Sequence, residues 1–587
     1  MNDILVYTTS DRFRNDILDM LRLFYEADIA FEIRGEKEAA VQDGIKPEHD
    51  AAVSERAVDL LTVVEYFEAE SWAKVPKAKP ERLMIESVAE CGAMEPGAKP
   101  ESIMEGEAAE PDAMVPGAKS NSLLETETES HIKICFRFCD KIGVFAAEQE
   151  QGSVRAPQLV EECAELCCPK EKAKYHLKMA LYRILKRRTG KELPWGALVG
   201  IRPVKIVRKM LEEDGMAETQ VVTALKNQYD VSEHKVKLCL EIAAREKPVL
   251  QRSSRNDTAL YIGIPFCRTR CAYCSFPSDA FHKAEVYGGA YLKALKQELS
   301  FLLSYVWAEK LHIKAVYLGG GTPTALLADD FAELMSWLSE NLPGEHLTEL
   351  TIEAGRPDTM EEEKLACMRE AFPQDKLLRL CINPQTMNDQ TLERIGRKHT
   401  AQDVVRVFEQ ARATGFQNIN MDVIAGLPEE NAAMFSHTME MLKNLNPESF
   451  TIHTLAVKRS SAINEFRSRY TFAEADEIAA MLDQANQTAA ALDMKPYYLY
   501  RQKNMVGNLE NTGYAKAGFS CVYNIHEMAD RIDILAAGAG AATKLVNIAS
   551  GRIERVFNAK NLVEYIDRVD EMIERKKKLL WMMRMPE

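Results

Sequence analysis

The stretch "ALYIGIPFCRTRCAYCSF", residues 259–276, joins a strand-like run to three closely spaced cysteines. The run up to Phe266 is short, apolar and bounded by a loop, which is typical of a buried strand. Cys267, Cys271 and Cys274 follow it with the spacing C-x3-C-x2-C. Because the loops after the strands of an α/β fold carry the chemistry, this stretch predicts a strand that ends in a reactive loop. Three thiols are one fewer than a closed structural cysteine site contains.

The residues after Asp257 alternate between strand-like and helix-like stretches. Six β-rich runs lie at residues 259–266, 313–320, 347–355, 376–383, 416–426 and 448–457. Strands that alternate with helical stretches imply a parallel sheet. We therefore predict an α/β fold in which residues 257–458 form a partial (β/α)6 barrel, with a doubly wound open sheet as the alternative. In both forms the ligand binds at the carboxyl ends of the strands.

The other segments of the chain differ from this core. Residues 1–70 and 129–168 are predicted to form one small α+β unit, in which "VEECAELCCPK", residues 160–170, is a helix with buried cysteines. Residues 71–128 hold three imperfect copies of a 20-residue repeat and are too poor in core-forming side chains to offset chain entropy, so we predict a disordered insert. Residues 169–256 are predicted to be helical, and residues 459–587 to form a mixed extension that covers the substrate.

Charge and composition exclude several classes of protein. The net charge of −15 argues against a broad nucleic-acid or membrane surface, since both require clustered Lys and Arg. No run approaches eighteen apolar residues, and the first residues lack the pattern of a signal peptide. We therefore expect a cytoplasmic protein whose 13 cysteines are reduced thiols or metal ligands.

Three interpretations of the cysteine loop are open on spacing alone. A surface disulfide is disfavoured in a reducing compartment. A zinc ion could take Cys271 and Cys274 together with Cys267 and His282. A [4Fe–4S] cube could bind the three thiolates and keep its fourth iron open for a small molecule.

Residues at the ends of later strands point to a ligand at the same edge of the sheet. Gly319 to Gly321 end the second strand and allow the backbone to approach a ligand closely. Glu353 ends the third strand, where it could accept hydrogen bonds from ribose hydroxyls. The "GLP" that begins at Gly426 ends the fifth strand.

At these residues the chain resembles the radical S-adenosylmethionine (SAM) superfamily, whose signature is C-x3-C-x2-C with an aromatic residue at the position of Tyr273. The segments "LYIGIPFC…CAYCSF", "GGGTPT", "INPQTMNDQTLERIGRKHT" and "MDVIAGLP" resemble the oxygen-independent coproporphyrinogen III oxidase family. "WGALVGIRP" and "YYLYRQKNMVGNLENTGYA" are similar to its HemZ-type coproporphyrinogen dehydrogenase branch. The resemblance covers about residues 195–544.

The resemblance implies a set of cofactor-binding residues. The metal ligands would be Cys267, Cys271 and Cys274. The SAM-binding residues would be Tyr261, Tyr273, Gly320, Gly321, Thr322, Glu353, Gln385, Arg397, Asp422 and Ala456. Ala542, in the glycine-rich "LAAGAGAATK", stands where family members have a larger aliphatic residue and is left out of this set.

The resemblance also implies a reaction and partners. A [4Fe–4S] cluster would take an electron from a donor such as flavodoxin or ferredoxin and cleave SAM to a 5′-deoxyadenosyl radical. The radical would start the decarboxylation of two propionates of coproporphyrinogen III, giving protoporphyrinogen IX. The cationic residues that could hold the carboxylates of this tetrapyrrole are Arg268, Arg270, Lys458, Arg459 and Arg501.

Two other functions stay open on the sequence. The first is a HemW-like heme chaperone that binds heme and does not decarboxylate, for which His453 and His526 are the candidate iron ligands. The second is a radical SAM methyltransferase that acts on heme. The residues of the sequence do not separate these three functions.

Overall fold

The structure, a computed structural model, describes most of the chain beyond residue 172 and short parts before it. The described residues are 3–8, 19–21, 23–24, 31–34, 58–63, 129–140, 158–169, 173–200, 202–275, 279–374, 377–458, 460–502, 505–547 and 550–582. The predicted insert at 71–128 lies outside them, and the division into five segments stays a prediction. The chain forms two compact units, Met1–Ile17 with Ile29–Ala180, and Leu18–Asp28 with Leu181–Glu587.

The first unit contains a parallel sheet and an antiparallel pair of strands. Its strands are β1 (Asp3–Thr8), β2 (Phe31–Arg34), β3 (Val58–Val63), β4 (Glu129–Asp140) and β5 (Gln158–Pro169). The sheet order is β2-β1-β3, and β4 pairs with β5 along twelve residues. The prediction of a helix at residues 160–170 was therefore wrong. Cysteines four residues apart lie on the same face of a strand as well as of a helix, so their spacing does not distinguish the two structures. The pairing with β4 makes this segment a strand.

Between residue 173 and the barrel, the described residues form four helices. They are α1 (Ala173–Thr189), α2 (Pro203–Glu212), α3 (Glu218–Tyr229) and α4 (Glu233–Gln251). The helix predicted to end at Gly190 ends at Thr189, and Gly190 has a positive φ of 67°, the usual conformation after a helix. Buried apolar residues of α2, α3 and α4 pack with Trp195. Most described residues between 173 and 251 are thus helical.

The barrel alternates strands and helices as predicted. Its strands are β6 (Asp257–Ile264), β7 (Phe266–Cys267), β8 (Asp279–Ala280), β9 (His312–Gly320), β10 (Glu349–Gly355), β11 (Leu378–Ile382), β12 (Ile419–Ala425) and β13 (Ser449–Thr454). Its helices are α5 (Phe281–Ala308), α6 (Ala328–Asn341), α7 (Glu362–Ala371), α8 (Asp389–Arg394), α9 (Ala401–Ala413) and α10 (Ala432–Leu445).

The C-terminal region adds strands to both edges of this sheet. Its elements are α11 (Ala462–Glu465), α12 (Ala475–Ala491), β14 (Lys495–Tyr500), β15 (Asn511–Ala515), α13 (Val522–Ala529), β16 (Asp533–Ala537), β17 (Ala542–Val546), β18 (Ile553–Phe557), α14 (Leu562–Asp567) and α15 (Val569–Met582). The order of the eleven strands is β14-β15-β13-β12-β11-β10-β9-β6-β16-β17-β18.

The strand order distinguishes the two predicted forms of the sheet. Strands β6, β9, β10, β11, β12 and β13 are parallel and lie side by side in chain order. A doubly wound sheet reverses its order at a switch point, and this sheet does not. The α/β fold with a partial six-stranded β/α barrel is confirmed. All six carboxyl ends therefore lie at one edge.

The two faces of the barrel differ in polarity because successive strand residues point to opposite faces. One face carries apolar side chains that belong to the main hydrophobic core, among them Leu260, Ile262, Leu318, Ile352 and Val423. The alternate residues include Tyr261, Tyr317, Glu353, Asp422 and His453. The polar face of the barrel, where the predicted ligand residues lie, is thus separated from the core. No described helix combines the length and the hydropathy that a membrane span requires.

Candidate cofactor site at the strand ends

The cysteine loop leaves the end of β6 and is held by the neighbouring glycine segment. Gly321 N donates to Ile264 O at 2.7 Å, and Thr322 N donates to Phe266 O at 2.7 Å. Thr322 Oγ1 lies 3.6 Å from the Sγ atom of Cys267. Cys267, Cys271 and Cys274 are all half-buried and are not paired in disulfides. The loop therefore presents three thiols at the carboxyl edge of the barrel, as predicted.

The glycines are required because the two segments approach so closely. Gly320 has a φ of 106°, and a Cβ atom there would lie 3.0 Å from Ile264 O. A Cβ atom on Gly321 would lie 2.5 Å from Phe266 O and 3.0 Å from Cys267 Sγ. A larger residue at either position would displace the cysteine loop.

Two buried arginines approach Cys271. Arg356 Nη1 lies 3.9 Å from Cys271 Sγ. Arg397 also hydrogen-bonds the Cys271 thiol, and its Nη2 donates to the hydroxyl of Tyr273 at 3.3 Å. Burial alone would lower the pKa of Arg397, but Tyr273 and Cys271 raise it above its ordinary value. Two guanidinium groups thus lie beside one of the three thiols of the loop.

Two carboxylates, Glu353 and Asp422, face each other across the polar side of the barrel. Glu353 accepts hydrogen bonds from the Tyr317 hydroxyl and from Asn383 Nδ2, the latter at 3.1 Å. Burial raises the pKa of Glu353, and the charge of Asp422 raises it further. Burial would also raise the pKa of Asp422, but His453 and Asn420 outweigh it and lower that pKa. The pair thus combines one carboxylate that ionises readily with one that resists ionisation.

Gln385 lies between the ends of β11 and β12 in a strained conformation. Its φ is 68°, in the left-handed region that glycine favours. Its N–H donates to Asp422 O at 2.9 Å, and its carbonyl accepts from Ile424 N at 2.9 Å. The sheet therefore fixes Gln385 in place, and strain of this kind clusters at functional sites.

Several buried polar atoms around these residues have no protein partner. They are Asn383 Oδ1, Gln385 Oε1 and Arg397 Nε. A buried donor or acceptor without a partner costs about 1–3 kcal/mol, which a bound ligand can recover. The acceptors suit amino or hydroxyl groups, and the guanidinium suits a carboxylate, so this set fits the amino-acid and ribose groups of SAM.

A cavity of about 240 Å3 opens at the side of the barrel where β6 meets β16. Its lining includes Tyr261 and Gly320, two of the predicted SAM-binding residues, and Ala542 from the glycine-rich C-terminal segment. Lys544 also lines it but is engaged, since its Nζ atom lies 3.0 Å from Asp530 Oδ1. Arg555 of β18 lines it without a hydrogen bond or ion pair to any described residue.

The ten predicted SAM-binding residues are distributed over the ends of the strands. Tyr261 precedes the cysteine loop, and Tyr273 lies within it between Cys271 and Cys274. The ring of Tyr261 stacks on that of Tyr317 with centroids 6.2 Å apart. Ala456 follows β13 and pairs with Met505 in an isolated bridge. Side-chain contacts join Thr322 to Cys267 and Arg397 to Tyr273. The assignment of these residues to SAM stays a prediction.

The predicted carboxylate-binding cations have different environments. Arg268 and Arg270 are exposed and donate to the carbonyls of Asp358 and Ser460. Arg501 is buried, and its Nη2 atom donates to the carbonyl of Asn508 at 2.9 Å. Its guanidinium packs on the ring of Trp195, so it contributes to the packing of the helical region. Arg459 lies outside the described residues.

Lys458 is the predicted cation best placed for a ligand. It is half-buried, burial lowers the pKa of its ammonium group, and no described residue bonds that group.

The two predicted heme ligands differ in exposure, because the His453 side chain is 27% exposed whereas His526 is buried. His526 is only 1% exposed, and burial lowers its pKa to about 4. His453 lies 3.1 Å from the Tyr500 hydroxyl through Nδ1 and 3.6 Å from Asp422 Oδ2 through Nε2. Both histidines thus serve contacts inside the protein.

Sequence reasoning missed four residues of the site: Tyr317, Asn383, Arg356 and Arg555. Tyr317 and Asn383 bond Glu353, Arg356 contacts the cysteine loop, and Arg555 lines the cavity. Tyr317 could have been found from strand alternation, because it lies two residues before Gly319. The positions of Arg356 and Arg555 depend on how distant segments pack.

The donor chemistry of the loop fits an iron–sulfur cube. Among the described residues, no group of three His, Cys, Asp or Glu side chains is arranged around one point to hold a single metal ion. A four-iron cube does not require such convergence, because each thiolate binds a different iron.

Comparison with known proteins identifies the family. A profile of the radical SAM superfamily matches residues 261–442. The chain is 37% identical to the oxygen-independent coproporphyrinogen-III oxidase-like protein HemZ of Bacillus subtilis (strain 168) over 401 residues, 68% of this chain and 79% of HemZ. It is 30% identical to the heme chaperone HemW of the same organism over 296 residues, 49% of this chain and 72% of HemW.

A solved structure with a similar arrangement is the coproporphyrinogen III oxidase HemN of Escherichia coli, described as a radical SAM enzyme. It is 20% identical, covers 56% of this chain and 73% of its own, and has a TM-score of 0.42. From the match to HemZ and to the superfamily profile, the chain belongs to the HemZ family of radical SAM proteins, whose cofactors are a [4Fe–4S] cluster and SAM.

Proposed function

We propose that this protein converts coproporphyrinogen III to protoporphyrinogen IX without oxygen. Two propionate side chains become vinyl groups, and each loses one hydrogen atom, carbon dioxide and one electron that passes to an acceptor outside the protein. The observation that supports the proposal is the meeting of the cysteine loop, the glycine segment and the Glu353–Asp422 pair at one edge of the barrel, in a chain of the HemZ family.

Cys267, Cys271 and Cys274 would hold the cluster, and the predicted SAM-binding residues would hold SAM. When bound, the reduced cluster and SAM supply the radical that removes hydrogen from the substrate. Tyr261 and Gly320 would line the SAM site, since both line the cavity. The loop and barrel walls would exclude water from the reacting groups.

The carboxylate and the ribose hydroxyls of SAM have matching partners in the site. Arg397 would bind a carboxylate, and Gln385 Oε1 would accept a hydrogen bond, because both have unpaired buried atoms. Glu353 would accept hydrogen bonds from hydroxyl groups. Asp422, whose pKa is lowered, would provide a negative charge opposite the positive amino and sulfonium groups.

The substrate carries four carboxylates and needs cations that the protein does not already use. Lys458 and Arg555 meet this requirement among the described residues. We propose that they bind propionate groups at the mouth of the site. An external one-electron donor such as flavodoxin or ferredoxin would reduce the cluster.

The proposal is tested by an anaerobic assay of the reconstituted protein with reductant, SAM and coproporphyrinogen III. We expect vinyl porphyrin, carbon dioxide and 5′-deoxyadenosine, with two molecules of carbon dioxide for each protoporphyrinogen IX. The matched control is Cys271→Ala, which should retain the fold, lose the iron and form no product.

The same assay tests the other two functions. The similarity to HemW supports the chaperone alternative. Tight binding of heme with no vinyl product would replace the decarboxylase with this alternative. Transfer of a methyl group to heme, with heme stimulating SAM cleavage, would instead identify a methyltransferase.

A further inference from the structure

Arg356 is a buried cation next to the cysteine loop that the proposed chemistry does not use. It follows the end of β10 at Gly355 and is only 2% exposed. Burial of a charge is costly unless the charge is paired and hydrogen-bonded. The contacts of Arg356 should therefore show why the charge lies at this position.

One edge of the guanidinium is fixed by a carboxylate. Arg356 Nε donates to Asp358 Oδ1 at 3.0 Å, and Nη2 donates to Asp358 Oδ2 at 3.2 Å. This bidentate pairing fixes the plane of the guanidinium. The remaining nitrogen, Nη1, consequently has a fixed direction.

The remaining nitrogen points at the cysteine loop. Nη1 donates to Thr269 O at 2.9 Å and to Thr269 Oγ1 at 2.8 Å, and it lies 3.9 Å from Cys271 Sγ. Three acceptors around one nitrogen orient the loop between Cys267 and Cys271. Of these three acceptors only Cys271 Sγ belongs to a predicted cluster ligand. The bonds of Arg356 to Asp358 and Thr269 do not by themselves explain why the guanidinium also contacts this sulfur.

We propose that Arg356 tunes the reduction potential of the cluster by placing a permanent positive charge and an N–H donor on the Cys271 sulfur. The inference rests on the proposed binding of the cluster by the three cysteines. A low-potential one-electron donor converts [4Fe–4S]2+ to [4Fe–4S]1+, with no bond made or broken, and the cluster gains one negative charge. Arg356 favours the more negative state, so it makes the cluster easier to reduce.

The test is a redox titration of the reconstituted protein followed by electron paramagnetic resonance of the reduced cluster. Arg356→Gln removes the charge, and Arg356→Lys keeps it while losing the planar fork. We expect Arg356→Gln to reduce the equilibrium constant for reduction about tenfold, which is about 59 mV toward negative potential for one electron. Arg356→Lys should shift the potential less.

Arg531→Gln is the matched control, because it removes the same charge from a half-buried arginine that pairs with Glu212 and has no bond to a described residue of the loop. Iron and sulfide contents are measured for every variant. An equal shift in Arg531→Gln, or an unchanged potential in Arg356→Gln, would overturn the proposal.

Loss of the cluster from both Arg356 variants would also reject tuning, because it would assign Arg356 to cluster assembly. Failure of the proposed function can be told apart from failure of this proposal. In that case the wild-type protein forms no vinyl product, whereas the cluster potential of the Arg356 variants can still be measured. The titration itself needs neither SAM nor substrate.

Discussion

Glu353 and Asp422 have pKa values shifted in opposite directions although both are carboxylates on the polar face of the barrel. The difference has a local cause. Burial acts to raise the pKa of both groups, but at Asp422 the contacts with His453 and Asn420 outweigh it and lower the pKa. At Glu353 the charge of Asp422 raises the pKa further, and the hydrogen bond from the Tyr317 hydroxyl offsets only part of this rise. Pairs of groups whose environments separate their pKa values are common at functional sites. A cofactor with hydroxyl groups and a positive centre would use both carboxylates.

Replacement of Glu353 tests this assignment. Glu353→Gln keeps the shape but weakens the acceptor, and hydrogen bonds to charged groups contribute about 1.5–3 kcal/mol. We expect SAM to bind about 10-fold to 100-fold more weakly, measured by calorimetry on the reconstituted protein, with an unchanged iron content.

Glu349→Gln is the matched control on the same strand. Glu349 accepts from the backbone N–H of Val522 at 2.8 Å and from Tyr523 N at 3.3 Å, so it caps α13 and does not lie among the predicted SAM-binding residues. We expect it to lower stability and leave SAM affinity unchanged. Equal losses of SAM affinity in both variants would contradict the assignment of Glu353.

The strands and helices of the barrel were predictable because apolar residues recur with a different spacing in each. Apolar runs of strand length alternate with amphipathic stretches, and glycine marks the end of β9 at Gly320. The helix predicted over Cys163 was wrong, since a distant strand decides the conformation of that segment. Arg356 was missed for a related reason. It lies three residues after Glu353, and its contact with the cysteine loop forms only when that distant loop folds against it.

The C-terminal end of α13 depends on an ionic network with a measurable pH dependence. Asp530 follows this helix and pairs with Arg202, with Lys205 at 3.1 Å and with Lys544 at 3.0 Å. Burial opposes its ionisation, but Arg202 and Lys544 lower the pKa to about 2. Because Lys544 lines the cavity, this network also supports a wall of the proposed site.

Asp530→Asn should lower the free energy of unfolding by about 2–3 kcal/mol at pH 6. An unfolded aspartate has a pKa of about 3.9, so the folded value near 2 stabilises the protein above pH 4. This stabilisation is lost as the pH falls from about 4 to 2. Urea unfolding at pH 6 and at pH 3 should therefore show a smaller difference between wild type and variant at the lower pH.

Asp483→Asn, a change of an exposed residue in α12, should have little effect at either pH. A difference between wild type and Asp530→Asn that does not change with pH would mean that the network does not hold Asp530 ionised.

At the scale of the whole second unit, its last helix supports the cavity through a buried ion pair. Lys576 of α15 bonds Glu298 of α5 at 2.5 Å, and both side chains are fully buried. Glu298 also accepts from Gly538 N at 2.9 Å. Gly538 begins the turn that carries Ala539, a residue of the cavity lining. Lys576 and Glu298, which are 278 positions apart in sequence, thus help to position the backbone of this wall of the cavity. Local sequence patterns do not predict such a contact.

Removing one partner of this pair should affect both stability and cofactor binding. Lys576→Met leaves Glu298 buried without its cation, which costs about 3–5 kcal/mol. The double variant Lys576→Met with Glu298→Gln removes both charges of the buried pair. The amide of the glutamine keeps the shape of the glutamate carboxylate. We therefore expect the double variant to recover most of the stability in urea unfolding and most of the SAM affinity in calorimetry.

The neighbouring change Lys577→Met is a close control, because Lys577 is half exposed and pairs with Glu574 on the same helix. It should alter stability by less than about 1 kcal/mol, as is usual for an exposed ion pair. If Lys576→Met loses stability but binds SAM with wild-type affinity, the ion pair only holds α15 in place. If SAM affinity falls in Lys576→Met and returns in the double variant, the buried charge at α5 controls the wall of the cavity through Gly538.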